Sequence, residues 1–169
     1  MKEEIEKKSS TTMKREKELE RIDREGGRVG TKDTDEMLMM IKNNNLLEAF
    51  FSMVPKLQYD LYTFYYWKFY HRSGQDLKNK WKKLTKKYDT FHKIIKLCHK
   101  KKLIKNDTFR HLNEIRNLRN DIAHWLTYDE PRVIISRKQV IDAVNKGISL
   151  IKDFKKQGMY LALKFIKKY

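Results

Sequence analysis

The segment Ile115–His124, which reads IRNLRNDIAH, holds the residue types best suited to chemistry at a phosphodiester. Its polar candidates are Arg116, Arg119, Asn120 and His124. A histidine with a pKa of roughly 6.5 can accept or donate a proton near neutral pH. An arginine presents a planar fork of donors that matches a phosphate and can stabilise charge developing on it. We therefore take this segment as the candidate functional centre.

Helix geometry restricts how these side chains could act together. At about 100° per residue, Arg116, Asn120 and His124 fall within about 80° of one another on a single face. Arg119 points about 140° away from His124 on an ideal helix. The two can act on one phosphate only if the helix unwinds near its end, or if a second copy of the helix faces the first. A structural alternative also stays open, in which Asn120 helps to end the helix and His124 caps its C-terminal dipole.

The same run resembles the signature of HEPN ribonucleases: an arginine, four residues and a histidine, with asparagine after the arginine and alanine before the histidine. The helix order over residues 35–158 is similar to bacterial HEPN proteins and their mannitol-repressor-like relatives. The resemblance implies a helical bundle that dimerises with the two motifs meeting across the interface. It also implies a metal-independent endoribonuclease, with no cofactor, in which Arg119 and His124 are catalytic.

In the same resemblance, Asn120 and Arg116 would position the phosphate or orient the histidine. One departure concerns the second position after His124, where some family members carry tyrosine and this chain has Leu126. Features that depend on that tyrosine are therefore not carried over.

The positive charge is concentrated in one part of the chain. There are 39 Lys and Arg against 22 Asp and Glu, a formal net charge of +17, and residues 76–105 alone supply +10. Such a field favours a polyanionic partner such as RNA, DNA or an anionic membrane, and lysine favours diffuse phosphate attraction over base reading. We predict RNA contacts from Lys82, Lys83, Lys86 and Lys87. A solubilising helix face is the open alternative.

Apolar residues recur at intervals of three and four over most of the chain, which predicts an all-α fold, an antiparallel bundle of four to five helices. The predicted helical domain covers residues 33–169, preceded by a charged arm and linker at 1–32. Asn43 to Asn45 indicate either two short helices or one kinked helix. Pro55 predicts the start of a helix over 55–72.

Further along, the lysine-rich segment predicts a helix with a break near 86–90. Ser136 and Gln139 form a capping-box pattern that opens another helix. Gly158 is expected to end that helix, which leaves 159–169 as a docking helix or a partner-binding tail.

Several classes of protein are disfavoured. Cys98 is the only cysteine, which excludes an intrachain disulfide and a cysteine-rich zinc site. His92 and His99 share a helix face, with Cys98 adjacent, but no carboxylate or second cysteine completes a metal site, so we predict structural roles. We expect no metal, no membrane segment and a cytoplasmic location. The aromatic run over 59–70 is interpreted as core and subunit interface, with base stacking as the alternative.

The leading hypothesis is thus a HEPN-type endoribonuclease acting on RNA as a homodimer, as a toxin or defence factor with a possible antitoxin or regulatory partner. Two alternatives remain. One is a non-catalytic HEPN-fold module that binds a nucleotide or a protein partner. The other is a basic helical protein that coats nucleic acid or an anionic membrane.

Overall fold

The computed structural model describes residues 33–70, 77–127 and 134–166, and within them the regular structure is entirely helical. The helices are α1 (Thr34–Lys42), α2 (Leu46–Phe69), α3 (Leu77–Lys87), α4 (Phe91–Lys100), α5 (Asn106–Thr127) and α6 (Arg137–Ile166). The all-α prediction is confirmed. The described part has six helices rather than four to five, because breaks at 43–45 and 88–90 each divide an apolar segment. The predicted arm at 1–32 lies outside the described residues.

The first break is made by the asparagines. Asp33 caps α1, since its side chain accepts hydrogen bonds from the backbone N–H groups of Asp35 and Glu36 at 2.8 and 3.0 Å. The helix ends at Asn43, and Asn44 takes a left-handed conformation with φ of 66°. Asparagine adopts this conformation more readily than most residues. The sequence allowed either two helices or one kinked helix here, and the structure has two separate helices, α1 and α2.

Pro55 does not start a helix, and the predicted boundary there is wrong. α2 passes through Pro55 without interruption, although proline removes one backbone hydrogen bond. Met53 and Leu57, on either side of the proline, are fully buried, while Pro55 itself is exposed. Burial of this continuous apolar face offsets the missing hydrogen bond.

α2 packs most extensively against α6. A Cβ atom added at Gly147 would lie 1.8 Å from Sδ of Met53, so the absence of a side chain lets the two helices approach. Further along, the rings of Phe64 and Phe154 stack with centroids 6.0 Å apart. From the first contact to the second, the residue numbers rise in both helices. α2 and α6 therefore run the same way where they touch.

Gly158 does not end α6, which continues to Ile166. A single glycine in a helix interior costs only about 1 kcal/mol relative to alanine, which the surrounding helix can absorb. The predicted separate segment at 159–169 is therefore, as far as residue 166, the last part of α6. Residues 167–169 lie outside the described residues.

Two other local predictions are confirmed. The break predicted near 86–90 is present between α3 and α4, where Thr90 caps α4 by accepting a hydrogen bond from Lys93 N–H at 3.3 Å. The capping box is also confirmed. Ser136 N–H donates to Gln139 Oε1 at 2.7 Å, and Gln139 N–H donates to Ser136 Oγ at 3.2 Å.

The centre of α2 contains a charged pair that the sequence pattern did not reveal. Lys56 Nζ donates to Asp60 Oδ1 at 2.9 Å, and the two side chains are only 10% and 7% exposed. The Lys56 ammonium also lies 5.2 Å from the ring centroid of Tyr59. Each charge depends on the other in this partly apolar environment.

The aromatic run over 59–70 is largely core, as predicted. Tyr62 and Tyr66 are buried, and the Trp81 ring lies 6.2 and 5.5 Å from theirs, which attaches α3 to α2. Across the three described stretches, no helix has the length and apolar character needed to cross a membrane.

Candidate functional site

α5 carries the candidate residues and is central to the site. Its apolar side is buried through Leu112, Ile115 and Ile122. It runs antiparallel to α4, since His99 contacts Phe109 while His92 contacts Arg116. The polar side of α5 is therefore fixed relative to the start of α4.

The helix is continuous from Asn106 to Thr127, so it does not unwind between Arg119 and His124. Both side chains are exposed. One of the two geometric routes set by the sequence, local unwinding, is thus absent. The route that stays open is the other one, in which a second copy of α5 faces the first.

A cleft of about 540 Å³ opens between α2, the beginning of α4 and α5. Phe51 and Val54 of α2 supply part of its apolar wall. Its polar wall includes His92, Arg116, Arg119 and Asn120. Three of the four predicted catalytic and positioning residues therefore line a single cleft, whereas His124 is not among the lining residues.

The Arg116 guanidinium is held at the inner wall of this cleft. Its Nη1 contacts His92 Nδ1, and its Nη2 donates to Asn117 Oδ1 at 2.6 Å. Its Nε is buried and has no hydrogen-bond acceptor among the described residues. Because an arginine offers five N–H donors, Arg116 retains unused donor capacity.

Arg119 is the second cation of the cleft. Its Nη1 donates to Asn120 Oδ1 at 3.3 Å. In the described parts of the chain, neither Arg119 nor Arg116 forms an ion pair with a carboxylate, whereas Arg110 pairs with Asp107 at 3.2 Å. The positive charge of the cleft is thus left available to an anion.

The sequence predicts a structural role for His92, whereas the structure places it in the cleft lining beside Arg116, as a candidate that the sequence pattern did not indicate. Partial burial lowers the pKa of His92, and the nearby charges of Arg116 and Lys96 lower it further. Arg116 can only donate, so the contacted Nδ1 accepts and the proton of the neutral ring lies on Nε2. Nothing in the spacing links position 92 to position 116; only the antiparallel packing of α4 and α5 does.

His99 differs from His92 and does have the predicted structural role. Its ring stacks on Phe109 with centroids 4.1 Å apart, and its Nε2 lies 2.9 Å from Asn106 Oδ1. Cys98 is buried, and burial raises the pKa of its thiol to about 12. Among the described residues, His, Cys, Asp and Glu side chains form no group of three or more that could hold a metal.

The opposite flank of α5 has the opposite charge. Glu114 and Asp121 of α5 line a groove with Asp142 and Lys146 of α6. Lys146 Nζ lies 3.4 Å from Glu114 Oε2, which leaves Asp121 and Asp142 to set the sign of the groove. α5 therefore separates a basic cleft from an acidic groove.

The predicted RNA-binding lysines lie together on α3. Lys82, Lys83, Lys86 and Lys87 are all exposed. Positions 82 and 86, and likewise 83 and 87, are four residues apart and so lie one turn above each other. α3 presents them outward while Leu84 is buried.

Comparison with models of protein families identifies the family of this chain. The family model described as RiboL-PSP-HEPN matches residues 13–158. The chain belongs to this HEPN family. Comparisons with curated proteins and with solved structures gave no match. The HEPN match includes the whole of α5, and it begins inside the predicted arm at 1–32, whose boundary stays a prediction.

Proposed function

We propose that this HEPN protein is a metal-independent endoribonuclease whose active site pairs Arg119 of one protomer with His124 of a second. The observation that carries the proposal is the unbroken α5, which exposes both residues on different sides of one helix. The proposal includes the sequence-based expectations of a toxin or defence role, a cytoplasmic location and a possible antitoxin or regulatory partner.

The chemistry follows from the residue types. An imidazole of His124 takes the proton from a ribose 2′-hydroxyl, whose oxygen then attacks the adjacent phosphorus. The bond from phosphorus to the 5′-oxygen breaks, and the leaving oxygen takes up a proton from water. The products are a 2′,3′-cyclic phosphate and a 5′-hydroxyl. Arg119 stabilises the charge on the phosphoryl oxygens, while Asn120 and Arg116 position the phosphate.

Mixing two inactive variants tests the shared site directly. Wild type should cleave RNA in EDTA, whereas Arg119→Ala and His124→Ala should each be nearly inactive. After subunit exchange in an equal mixture, half of the dimers contain one of each chain. In a twofold-symmetric dimer each such pair has one intact site, so the mixture should regain about a quarter of the wild-type rate.

The outcomes that reject this assignment are distinct. A wild-type protein that leaves RNA intact excludes the nuclease. Two single variants that cleave like wild type exclude these residues as catalytic. A protein that is active and monomeric, or a mixture that stays inactive after verified exchange, excludes the pairing of Arg119 and His124 across an interface.

A second candidate is a non-catalytic HEPN-fold module that binds a nucleotide. The observation in its favour is the cleft, which gathers Arg116, Arg119 and Asn120 while His124 lies outside its lining. A purified dimer that binds a mononucleotide and leaves RNA intact would support this function over the first.

The lysines of α3 give a separate prediction about RNA binding. The test set is Lys82, Lys83, Lys86 and Lys87, all changed to glutamine. The control set is Lys138, Lys152, Lys155 and Lys156, four exposed lysines of α6. If the test set contacts phosphates, the slope of log affinity against log salt should fall by about three for single-stranded nucleic acid. Fluorescence anisotropy with an oligodeoxynucleotide measures this slope.

The two sets remove the same formal charge, so they separate local contact from net charge. The control set should change the slope far less than the test set. Equal losses from both sets would contradict an RNA-binding surface on α3 and favour the solubilising role of these lysines.

A further inference from the structure

The cleft between α2, α4 and α5 contains His92, which has no part in the proposed reaction. This side chain contacts Arg116, which lines the cleft together with Arg119. We propose that His92 and Arg116 together form a phosphate-binding subsite for the nucleic acid strand. This inference deepens the proposed function and rests on it for the identity of the strand as RNA.

The subsite lies away from the His124 of its own protomer. Arg116 lies eight residues before His124, which corresponds to about 12 Å of helix rise. His92 contacts Arg116 and is therefore at the same end of the cleft. A phosphate held there is about two helix turns from the His124 of the same protomer and lies beside Arg119, which the proposed function pairs with the His124 of the other protomer.

Arg116 gives the cleft hydrogen-bond donors that suit an anion, and no carboxylate of the described residues pairs with them. Among the residues described, the Arg116 guanidinium has no carboxylate partner, and its buried Nε has no acceptor. A buried donor without an acceptor costs free energy, which an anionic oxygen would recover after a small rotation of the guanidinium. The apolar wall formed by Phe51 and Val54 strengthens such a charge interaction by excluding water.

The other groups around His92 are consistent with this use. Asp89 is the acidic group of the cleft lining, and its carboxylate accepts from Lys93 Nζ at 2.8 Å. α2 contributes the uncharged Gln58. α5 contributes Arg119 beside Arg116, and Lys96 of α4 adds further positive charge. With Asp89 held by Lys93, the remaining field at His92 is positive.

Protonation of His92 should therefore be coupled to binding. In the free cleft Nδ1 accepts from Arg116, and partial burial, together with the nearby charges of Arg116 and Lys96, keeps the pKa of His92 below its usual value. A bound phosphate supplies negative charge, which raises that pKa. The protonated ring can no longer accept from Arg116, which frees Arg116 Nη1 to donate to the phosphate. Binding thus takes up a proton, and affinity should rise as the pH falls through the pKa of His92 in the bound state, and level off below its lowered pKa in the free cleft.

The test measures binding of an oligodeoxynucleotide, which has no 2′-hydroxyl and so cannot be cleaved by this route. Arg116→Gln should weaken binding about tenfold or more, the effect expected for a lost charged hydrogen bond. Its control is Arg110→Gln, on the same helix but paired with Asp107. His92→Gln should abolish the gain in affinity on lowering the pH, whereas His99→Gln on the same helix should retain it.

Two further measurements complete the experiment. Proton NMR should show the pKa of His92 rising when the oligodeoxynucleotide is added. Arg116→Lys, which keeps the charge, should bind with intermediate affinity if the guanidinium fork is used. Circular dichroism melts of all variants identify any loss of affinity that comes from unfolding.

A parallel titration with inorganic phosphate distinguishes the source of the phosphate group. Much tighter binding of the oligodeoxynucleotide, with both ligands dependent on Arg116, supports a subsite for the strand. Binding of inorganic phosphate alone at the cleft overturns that assignment. Folded variants of Arg116 and His92 that bind like their controls overturn the subsite itself.

The subsite and the nuclease can fail independently. A wild type that binds in this way but does not cleave RNA retains the subsite and rejects the enzyme. A protein that cleaves RNA through His124 while the His92 and Arg116 variants bind normally rejects only the subsite.

Discussion

Replacing His124 with alanine should lower the rate of RNA cleavage by about 10²- to 10⁴-fold, the usual contribution of a positioned general acid or base. The side chain is exposed on a continuous helix, so the substitution should not disturb the core. The rate is measured under single-turnover conditions with an end-labelled RNA in EDTA, which separates chemistry from product release.

His111→Ala is the matched control, since His111 lies on the same helix before the motif and outside the cleft lining. Its cleavage rate should stay close to that of wild type. Comparable losses in the two variants would mean that the His124 effect is not chemical. An unchanged rate in His124→Ala would remove this histidine from the mechanism.

Replacing Lys56 with methionine should lower the free energy of unfolding by about 3 to 5 kcal/mol, the typical cost of leaving a buried charge without its partner. The affected group is Asp60, whose side chain is 7% exposed and receives a hydrogen bond from Lys56. Urea denaturation followed by circular dichroism gives the free energy of unfolding and its dependence on denaturant.

The double variant Lys56→Met with Asp60→Leu separates the pair from the packing around it. Because the pair must be desolvated in the folded protein, replacing both charges should recover most of the lost stability. Lys93→Met provides the control, since its pair with Asp89 has the same four-residue spacing but is more than half exposed. That variant should leave stability nearly unchanged. A double variant no more stable than Lys56→Met would contradict the explanation.

The predictions that were correct depend on short stretches of chain. The Ser136 capping box needs only the next three residues, and the break before Phe91 is set by Thr90. The amphipathic pattern of α5 and its candidate motif were likewise readable, because helical periodicity places apolar and polar residues on fixed sides. Such features need no knowledge of what packs against them.

The errors share another cause, which is packing between distant elements. Pro55 and Gly158 are local signals for helix boundaries, yet the buried faces of α2 and α6 override both. The contact between His92 and Arg116 joins residues 24 positions apart and exists only because α4 turns back along α5. The assignment of Arg119 and His124 to catalysis stays a prediction, as does the dimer that it requires.

The charges on the two flanks of α5 affect the direction in which a bound RNA strand could run. One flank carries Arg116 in the basic cleft, and the other carries Asp121 in the acidic groove. The charge of the lining side chains therefore changes sign across the width of a single helix, roughly 10–12 Å. In a twofold-symmetric pair, the attractive flanks would point in opposite senses, while an RNA strand has one 5′-to-3′ polarity. A strand bound at one shared site could then follow the basic cleft of only one protomer, which leaves the second site to a different strand.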